Sequence, residues 1–293
     1  MINGFLNVLK PPDMTAHDVV AVLRRILKTR RIGHAGTLDP AAAGVLPVAV
    51  GQATRLLQFL RHDKEYFGEV LFGVSTDTLD STGEIIEKRG MKLDSSSIEE
   101  ILPLFRGEIE QRVPMVSAVQ IDGKRLYALA RAGVEMERPV RKAEIYSLEL
   151  LRFFESEFPR ALFKVHCGGG TYIRSLAEEM GSALGGFACL SFLLRTMACG
   201  FPLSEALTLE EIKEKAEESS RIDFLLPCEE ALLHLEELIL EGGEMARFLH
   251  GQILPNPGLK GNVRVMGEKN LLGIALAEGE NLKPRVVFNE ENA

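Results

Sequence analysis

Two glycine-rich breaks, Gly33-His34-Ala35-Gly36-Thr37-Leu38-Asp39-Pro40 and Gly168-Gly169-Gly170-Thr171-Tyr172-Ile173-Arg174, each separate a helical periodicity from a short apolar run. Before the first, Val19, Val22, Leu23, Ile26 and Leu27 recur at helical spacing, and after it Gly44 to Val50 reads as an apolar strand. The second reverses the order. Ala161 to Cys167 reads as a strand, and Ile173, Leu176, Ala177, Met180 and Leu184 then fall on one helical face. Short strands joined to amphipathic helices through irregular loops define an α/β (α+β) chain, and such loops are where functional side chains are mounted.

The remaining elements fit that frame. Phe5 to Leu9 is a strand ending at Lys10-Pro11-Pro12, and Thr15 with Asp18 forms a capping-box pattern for the first helix. Tyr66 to Val74 alternates as a strand, with Ile85 to Lys88 as its partner, and Leu148 to Phe154 is a further strand. Helices are expected at Asp94 to Phe105 and Thr208 to Ser219, with a short one at Leu126 to Ala132 inside the basic segment Gln111 to Lys142. From about Leu238 the texture changes to short strands, Val263 to Met266, Leu271 to Ala277 and Arg285 to Phe288, which suggests a small β-barrel or sandwich. A length of 293 residues favours two domains, divided here as 1–237 and 238–293.

Charge is unevenly spread. The formal net charge is −8, yet residues 1–62 carry eight Lys/Arg against three acids, while residues 203–246 carry thirteen acids against three bases. The first region can attract phosphates, although RRILKTRR also fits a solvated helix face. No run approaches the ~20 apolar residues of a membrane span, and the first residues lack the basic and apolar regions of a secretion signal. Four scattered cysteines without a Cys-x-x-Cys pair fit free thiols in a cytoplasmic protein. The six histidines lack metal-ligand spacing, and no phosphate-binding glycine loop or nucleophile elbow occurs, so neither a metal nor a nucleotide cofactor is indicated.

On the residues alone, Asp39 is the leading candidate for a nucleophile or base, because glycines and a proline constrain the loop that displays it. Asp before Pro also closes Asx-turns. Arg174 is a cation in the first turn of a helix, where the dipole favours anions; it points to a carboxylate or phosphate partner, or else simply faces solvent.

The motifs taken together resemble the TruB-type tRNA pseudouridine-55 synthases. The resemblance rests on Gly33 to Pro40 continuing through Ala43-Gly44-Val45-Leu46-Pro47, on Lys10-Pro11, on Gly51-Gln52-Ala53-Thr54-Arg55-Leu56, and on Lys64-Glu65-Tyr66. It extends through Asp77-Thr78-Leu79-Asp80-Ser81-Thr82-Gly83, Gly123-Lys124-Arg125-Leu126-Tyr127 and Gly170-Thr171-Tyr172-Ile173-Arg174-Ser175, from about Ile2 to Pro227. It implies the pseudouridine synthase fold, with a mixed, largely antiparallel sheet, and a small C-terminal PUA-like β-barrel domain. It also implies Asp39 as the catalytic aspartate, Arg174 as the arginine paired with it, and Tyr66 as the tyrosine that stacks on the target base. His34, Tyr172 and Leu193 become pocket residues, and Lys10 and Pro11 join the substrate-binding set.

The implied reaction isomerises a uridine of the tRNA T-loop, without a cofactor, in a monomer needing no protein partner, with Gln111 to Lys142 closing over the T-arm. A tRNA-folding module and a guide-RNA-dependent synthase are the alternatives. The chain departs from the family pattern at Val116 and Gln120, where a tyrosine and a lysine are usual, and at Leu194, where an arginine is usual.

Overall fold

The computed structural model describes residues 2–117, 119–121, 124–126, 137–218, 224–268 and 270–288. Its packing divides the chain into two compact units, residues 39–44 with 62–198, and residues 1–38, 45–61 and 199–293.

The first of these units is built on a sheet in which Ala188–Ala198, Lys64–Phe72, Arg160–Cys167, Val140–Phe154 and Gly107–Arg112 lie side by side in that order, every neighbour antiparallel. Beyond Ala188–Ala198, Leu194 and Arg195 pair in parallel with Ala43 and Gly44, so the sheet is mixed but largely antiparallel. The burial of Lys64–Phe72 alternates residue by residue, with Tyr66, Gly68, Val70 and Phe72 turned inward. The helix Ile173–Ala183 covers one face of this sheet, burying Ile173, Leu176, Ala177 and Met180. Asp94 caps the helix Ser95–Ile101, and a 3₁₀ turn, Leu102–Phe105, completes the span expected to be one helix. Ile85–Lys88 pairs with the short strand Val74–Thr76 rather than with the long strand before it.

The basic segment Gln111 to Lys142 begins and ends in paired strands, with Val140 opposite Arg112 and Lys142 opposite Glu110. The helix expected at Leu126 to Ala132 lies, after its first residue, outside the described residues.

In the second unit, Gly4–Lys10 and Ile32–His34 flank Ala43–Val50 from Val45 onward. The helix Ala16–Ile26 carries the full capping box between Thr15 and Asp18 and packs Val19, Val20 and Leu23 into a core shared with Leu6, Val8, Leu46, Val48 and Ile212. Residues 236–287 hold a sheet and core of their own. Glu236–Ile239, Gly261–Met266, Leu271–Glu278, Asn281–Val287 and Leu254–Pro255 follow in spatial order as a half-barrel, with Phe248 of the helix Gly242–Leu249 buried among Val263, Val265, Ala275 and Leu282. No helix among the described residues is long and apolar enough to cross a membrane.

Candidate active site

The loop that carries Asp39 is shaped at both ends by glycine. Gly36 has φ 79°, and Gly44 has φ 120°. Both lie in the left-handed region that L side chains rarely adopt. A Cβ at Gly44 would also stand 2.2 Å from the carbonyl oxygen of Arg195, so the close approach of the two strands requires glycine there. Between these points the backbone N–H of Ala42 donates to the Asp39 carbonyl at 3.1 Å, closing a turn. The Asp39 side chain remains 37% exposed.

Arg174 enters from the opposite side, as the second residue of the helix Ile173–Ala183, and is only 4% exposed. Its Nε donates to Oδ2 of Asp39 at 2.8 Å and its Nη2 to Oδ1 at 3.1 Å, a two-pronged pairing of guanidinium and carboxylate. Two further N–H groups are committed to backbone carbonyls. Nη1 reaches the Thr78 carbonyl at 2.8 Å and Nη2 the Val116 carbonyl at 2.9 Å. The fork geometry fixes both position and rotation of the carboxylate, which a lysine ammonium does not do. The cation that was out of place for a helix N-terminus therefore does have a carboxylate partner.

The Thr78 carbonyl is held by a tight loop. Leu79 takes φ 63°, and Asp80 ties the loop together by accepting through Oδ1 from the hydroxyl of Thr78 at 2.8 Å and the backbone N–H of Thr82 at 3.0 Å. Oδ2 of Asp80 stands 3.8 Å from Nε of Arg174, a second carboxylate facing the same guanidinium. Asp39, Asp80, Ser81, Thr82, Arg174, Phe192 and Leu193 line one cleft that is open to solvent, with a cavity volume of about 40 Å³.

Of the other predicted residues, Leu193 lines this cleft and Tyr172 is the N-cap of the Arg174 helix. Tyr66 lies opposite Arg195 across the paired strands and is 5% exposed. Burial pushes its phenol up to about 12, against the opposing pull of Arg195, which shares a hydrogen bond with it. Burial likewise raises the Tyr172 phenol, opposed by Arg141 and by a hydrogen bond with Ser117. Both phenols feel the charge of Asp39.

Lys10, Pro11 and His34 belong to the other compact unit. Lys10 is fully buried and its Nζ donates to the carbonyls of Pro11 at 2.7 Å and Met14 at 2.6 Å, fastening the turn before the first helix. His34 ends the short strand Ile32–His34, opposite Val48, so the irregular stretch starts one residue after it. Among the described residues no group of His, Cys, Asp and Glu is arranged to hold a metal ion.

Three contributors went unnoticed in the sequence. The carbonyls of Thr78 and Val116 carry no side-chain signal at all. Asp80 does: it sits among hydroxyls in Asp77-Thr78-Leu79-Asp80-Ser81-Thr82, the composition of an Asx/ST turn.

The N-terminal model of the TruB family of pseudouridylate synthases matches residues 24–173, and the C-terminal model of pseudouridine synthase II TruB matches residues 237–288. The chain belongs to the TruB family of pseudouridylate synthases. It is 43% identical over 98% of its length to the tRNA pseudouridine synthase B of Synechocystis, covering 99% of that protein. It is 44% identical to that of Moorella thermoacetica, again over 98% of this chain and 100% of the relative. Among solved structures, a Cbf5-Nop10-Gar1 complex superposes with a TM-score of 0.75 at 29% identity, over 98% of this chain and 85% of that one. An H/ACA RNP bound to a substrate RNA containing 2′-deoxyuridine gives 0.74 at 28%, with the same coverage. The pseudouridine synthase fold is thus shared along nearly the whole chain, and the protein is an isomerase.

Proposed function

We propose that this isomerase converts a uridine in the tRNA T-loop, position 55, to pseudouridine, with Asp39 as the nucleophile or base. The two-pronged Asp39–Arg174 pair at the mouth of a cleft carries the reading. A carboxylate that is aimed by a guanidinium through two hydrogen bonds, yet still open to solvent, suits an attack on a reactant arriving from outside. A merely structural ion pair would have no need to expose its acid.

The reaction detaches uracil from C1′, turns it and rejoins it through C5, so atoms are conserved and no external group or redox partner enters. The base must first leave the loop stack, at a few kcal/mol, and contacts in the pocket return part of that. Tyr66 is assigned to stack on the base, Leu193 to the apolar wall of its pocket, Tyr172 to the pocket beside Arg174 and His34 to the flipped nucleotide. Lys10 and Pro11 complete the substrate-binding set through the turn that the Lys10 ammonium fastens. RNA recognition favours splayed, single-stranded bases, which a T-loop offers and a duplex does not. We assign catalysis to residues 1–237, with Gln111 to Lys142 closing over the T-arm, and additional RNA contact to residues 238–293.

The stand-alone reading is preferred to a guide-RNA-dependent one because relatives named for tRNA match at 43–44% identity end to end, against 28–29% for the ribonucleoprotein structures. The enzyme is placed in the cytoplasm as a monomer.

The test is to incubate purified protein with an unmodified tRNA transcript and map pseudouridine by sequencing. The wild type should modify one T-loop uridine unaided. Asp39→Asn should still bind tRNA but lose at least about 10⁴-fold in turnover, as an enzyme does on losing the group that starts its chemistry. Persistent turnover in that variant would refute the role given to Asp39, and activity that appears only with an added guide RNA would favour the alternative.

A further inference from the structure

Phe192 stands in the Asp39 cleft with half its surface exposed, 50%, although it lies between two buried leucines of the central sheet. The strand Ala188–Ala198 explains how. A regular strand would send residues 190 and 192 to the same face. Here Leu190 pairs with Val70 but the next partner of Glu69 is Phe192, so Ser191 is an extra, bulged residue. The bulge reverses the alternation: Phe192 turns out, and Leu193, at 8% exposure, turns in.

That bulge is fastened on two sides. The Ser191 hydroxyl donates to Oε1 of Glu69 at 2.8 Å, and Ser81 grips the strand through its backbone N–H to the Leu190 carbonyl at 2.9 Å. Ser81 belongs to the loop whose Thr78 carbonyl accepts from Arg174. The device that fixes the guanidinium therefore also keeps an aromatic ring out of the core and inside the reactive cleft. Sheet stability gains nothing from that arrangement, since an exposed phenylalanine forgoes its burial.

We infer that Phe192 is a stacking platform for a nucleobase flanking the target uridine, a subsite that rests on the function proposed above. Once the target uracil leaves the loop, its neighbours lose a stacking partner on one side, and an aromatic face at the cleft rim replaces it. Ser81 and Thr82 line the same cleft; their hydroxyls donate to the Ser191 carbonyl and to Oδ1 of Asp80, which leaves the hydroxyl oxygens as acceptors for a ribose hydroxyl of that neighbour. Stacking of a base on an aromatic side chain is sequence-tolerant, so the subsite contributes affinity more than discrimination.

The experiment compares the wild type with Phe192→Ala, Phe192→Leu and Phe192→Trp, on a tRNA transcript and on transcripts with one abasic residue beside the target uridine. Phe192→Ala and Phe192→Leu should raise KM about tenfold with kcat kept within about twofold, and Phe192→Trp should match the wild type. One abasic transcript should raise KM for the wild type yet add nothing for Phe192→Ala, since the base and the ring act as a pair. A Phe192→Leu variant as good as the wild type would reduce the ring to an apolar wall and overturn the inference. So would penalties that add at every flanking position. A wild type that modifies no tRNA at all would instead strike the function proposed above, and this subsite with it.

Discussion

Two buried arginines in the same compact unit have been put to opposite uses. Arg174 opens a helix and carries its fork to a carboxylate that is 37% exposed. Arg195 sits mid-strand, fully buried, opposite a tyrosine that is itself 5% exposed. Removing a guanidinium from water is unfavourable in either place, and neither is tolerable without full hydrogen bonding. What differs is the partner's access to solvent. One arginine delivers a fixed charge to a cleft; the other ties two strands together from within. Burial of a charged group is thus not itself the mark of a reactive site. A buried cation holding a reachable anion is.

The sharpest way to break this contrast is Arg174→Lys. Charge survives, but an ammonium cannot reproduce a fork that serves two carboxylate oxygens and the carbonyls of Thr78 and Val116 together. Turnover on tRNA should fall about 10²–10³-fold, the scale of losing a preorganised electrostatic contact, with KM changed far less. If the lysine variant kept activity within tenfold, the aim of the carboxylate would be irrelevant and the pair would be only an ion pair.

Arg195→Met should show the reverse profile. It leaves the Tyr66 hydroxyl without the guanidinium that shares its hydrogen bond, which costs about 1–3 kcal/mol of stability and is read as a lower denaturation midpoint. Because Tyr66 is the ring assigned to the target base, the folded protein should also bind tRNA less well, with KM raised up to about tenfold and kcat kept within about twofold of the wild type. A large loss of turnover at unchanged stability would move Arg195 into the reactive site and dissolve the distinction.

The same contrast explains what could be read from the sequence. The helix Ile173–Ala183 was legible because its apolar residues hold a 3.6 period, and Arg174 stood out because a cation disagrees with that helix end. Asp39 was legible because glycine and proline flank it, although its pairing with Arg174 followed from family resemblance and not from spacing. The strand Ala188–Ala198 was not legible. Two register shifts, at Leu190/Phe192 and Arg195/Met197, destroy its two-residue alternation, and a buried arginine interrupts its apolar run. A strand that serves a site by bending looks, residue by residue, like no strand at all. The ligands of Arg174 at Thr78 and Val116 were invisible for a simpler reason: every residue has a carbonyl, and only the fold decides which one is aimed.

The smallest effect we expect concerns a half-buried carboxyl, Glu179, on the same helix as Arg174. Asp39 meets a guanidinium through two hydrogen bonds; Glu179 has the backbone N–H of Arg112, the amide of Gln111 and a more distant Arg138. Burial outweighs these, with Glu178 adding repulsion, and its carboxyl is pushed up to about 7 from the ordinary 4.5. A folded-state value above the unfolded one means that the native protein holds this proton more tightly. Its contribution to stability is therefore complete below about pH 4.5 and is lost as pH rises through about 7. Glu179→Gln keeps an acceptor for the Arg112 N–H and removes the charge. The variant should equal the wild type near pH 4.5 and melt on the order of 2–4 °C higher at pH 8, with pseudouridine formation unchanged. A melting difference that stays constant across that interval would show that Glu179 does not titrate there. Burial without a forked cation would then be insufficient to set a carboxylate apart from Asp39, and the contrast would rest on Arg174 alone.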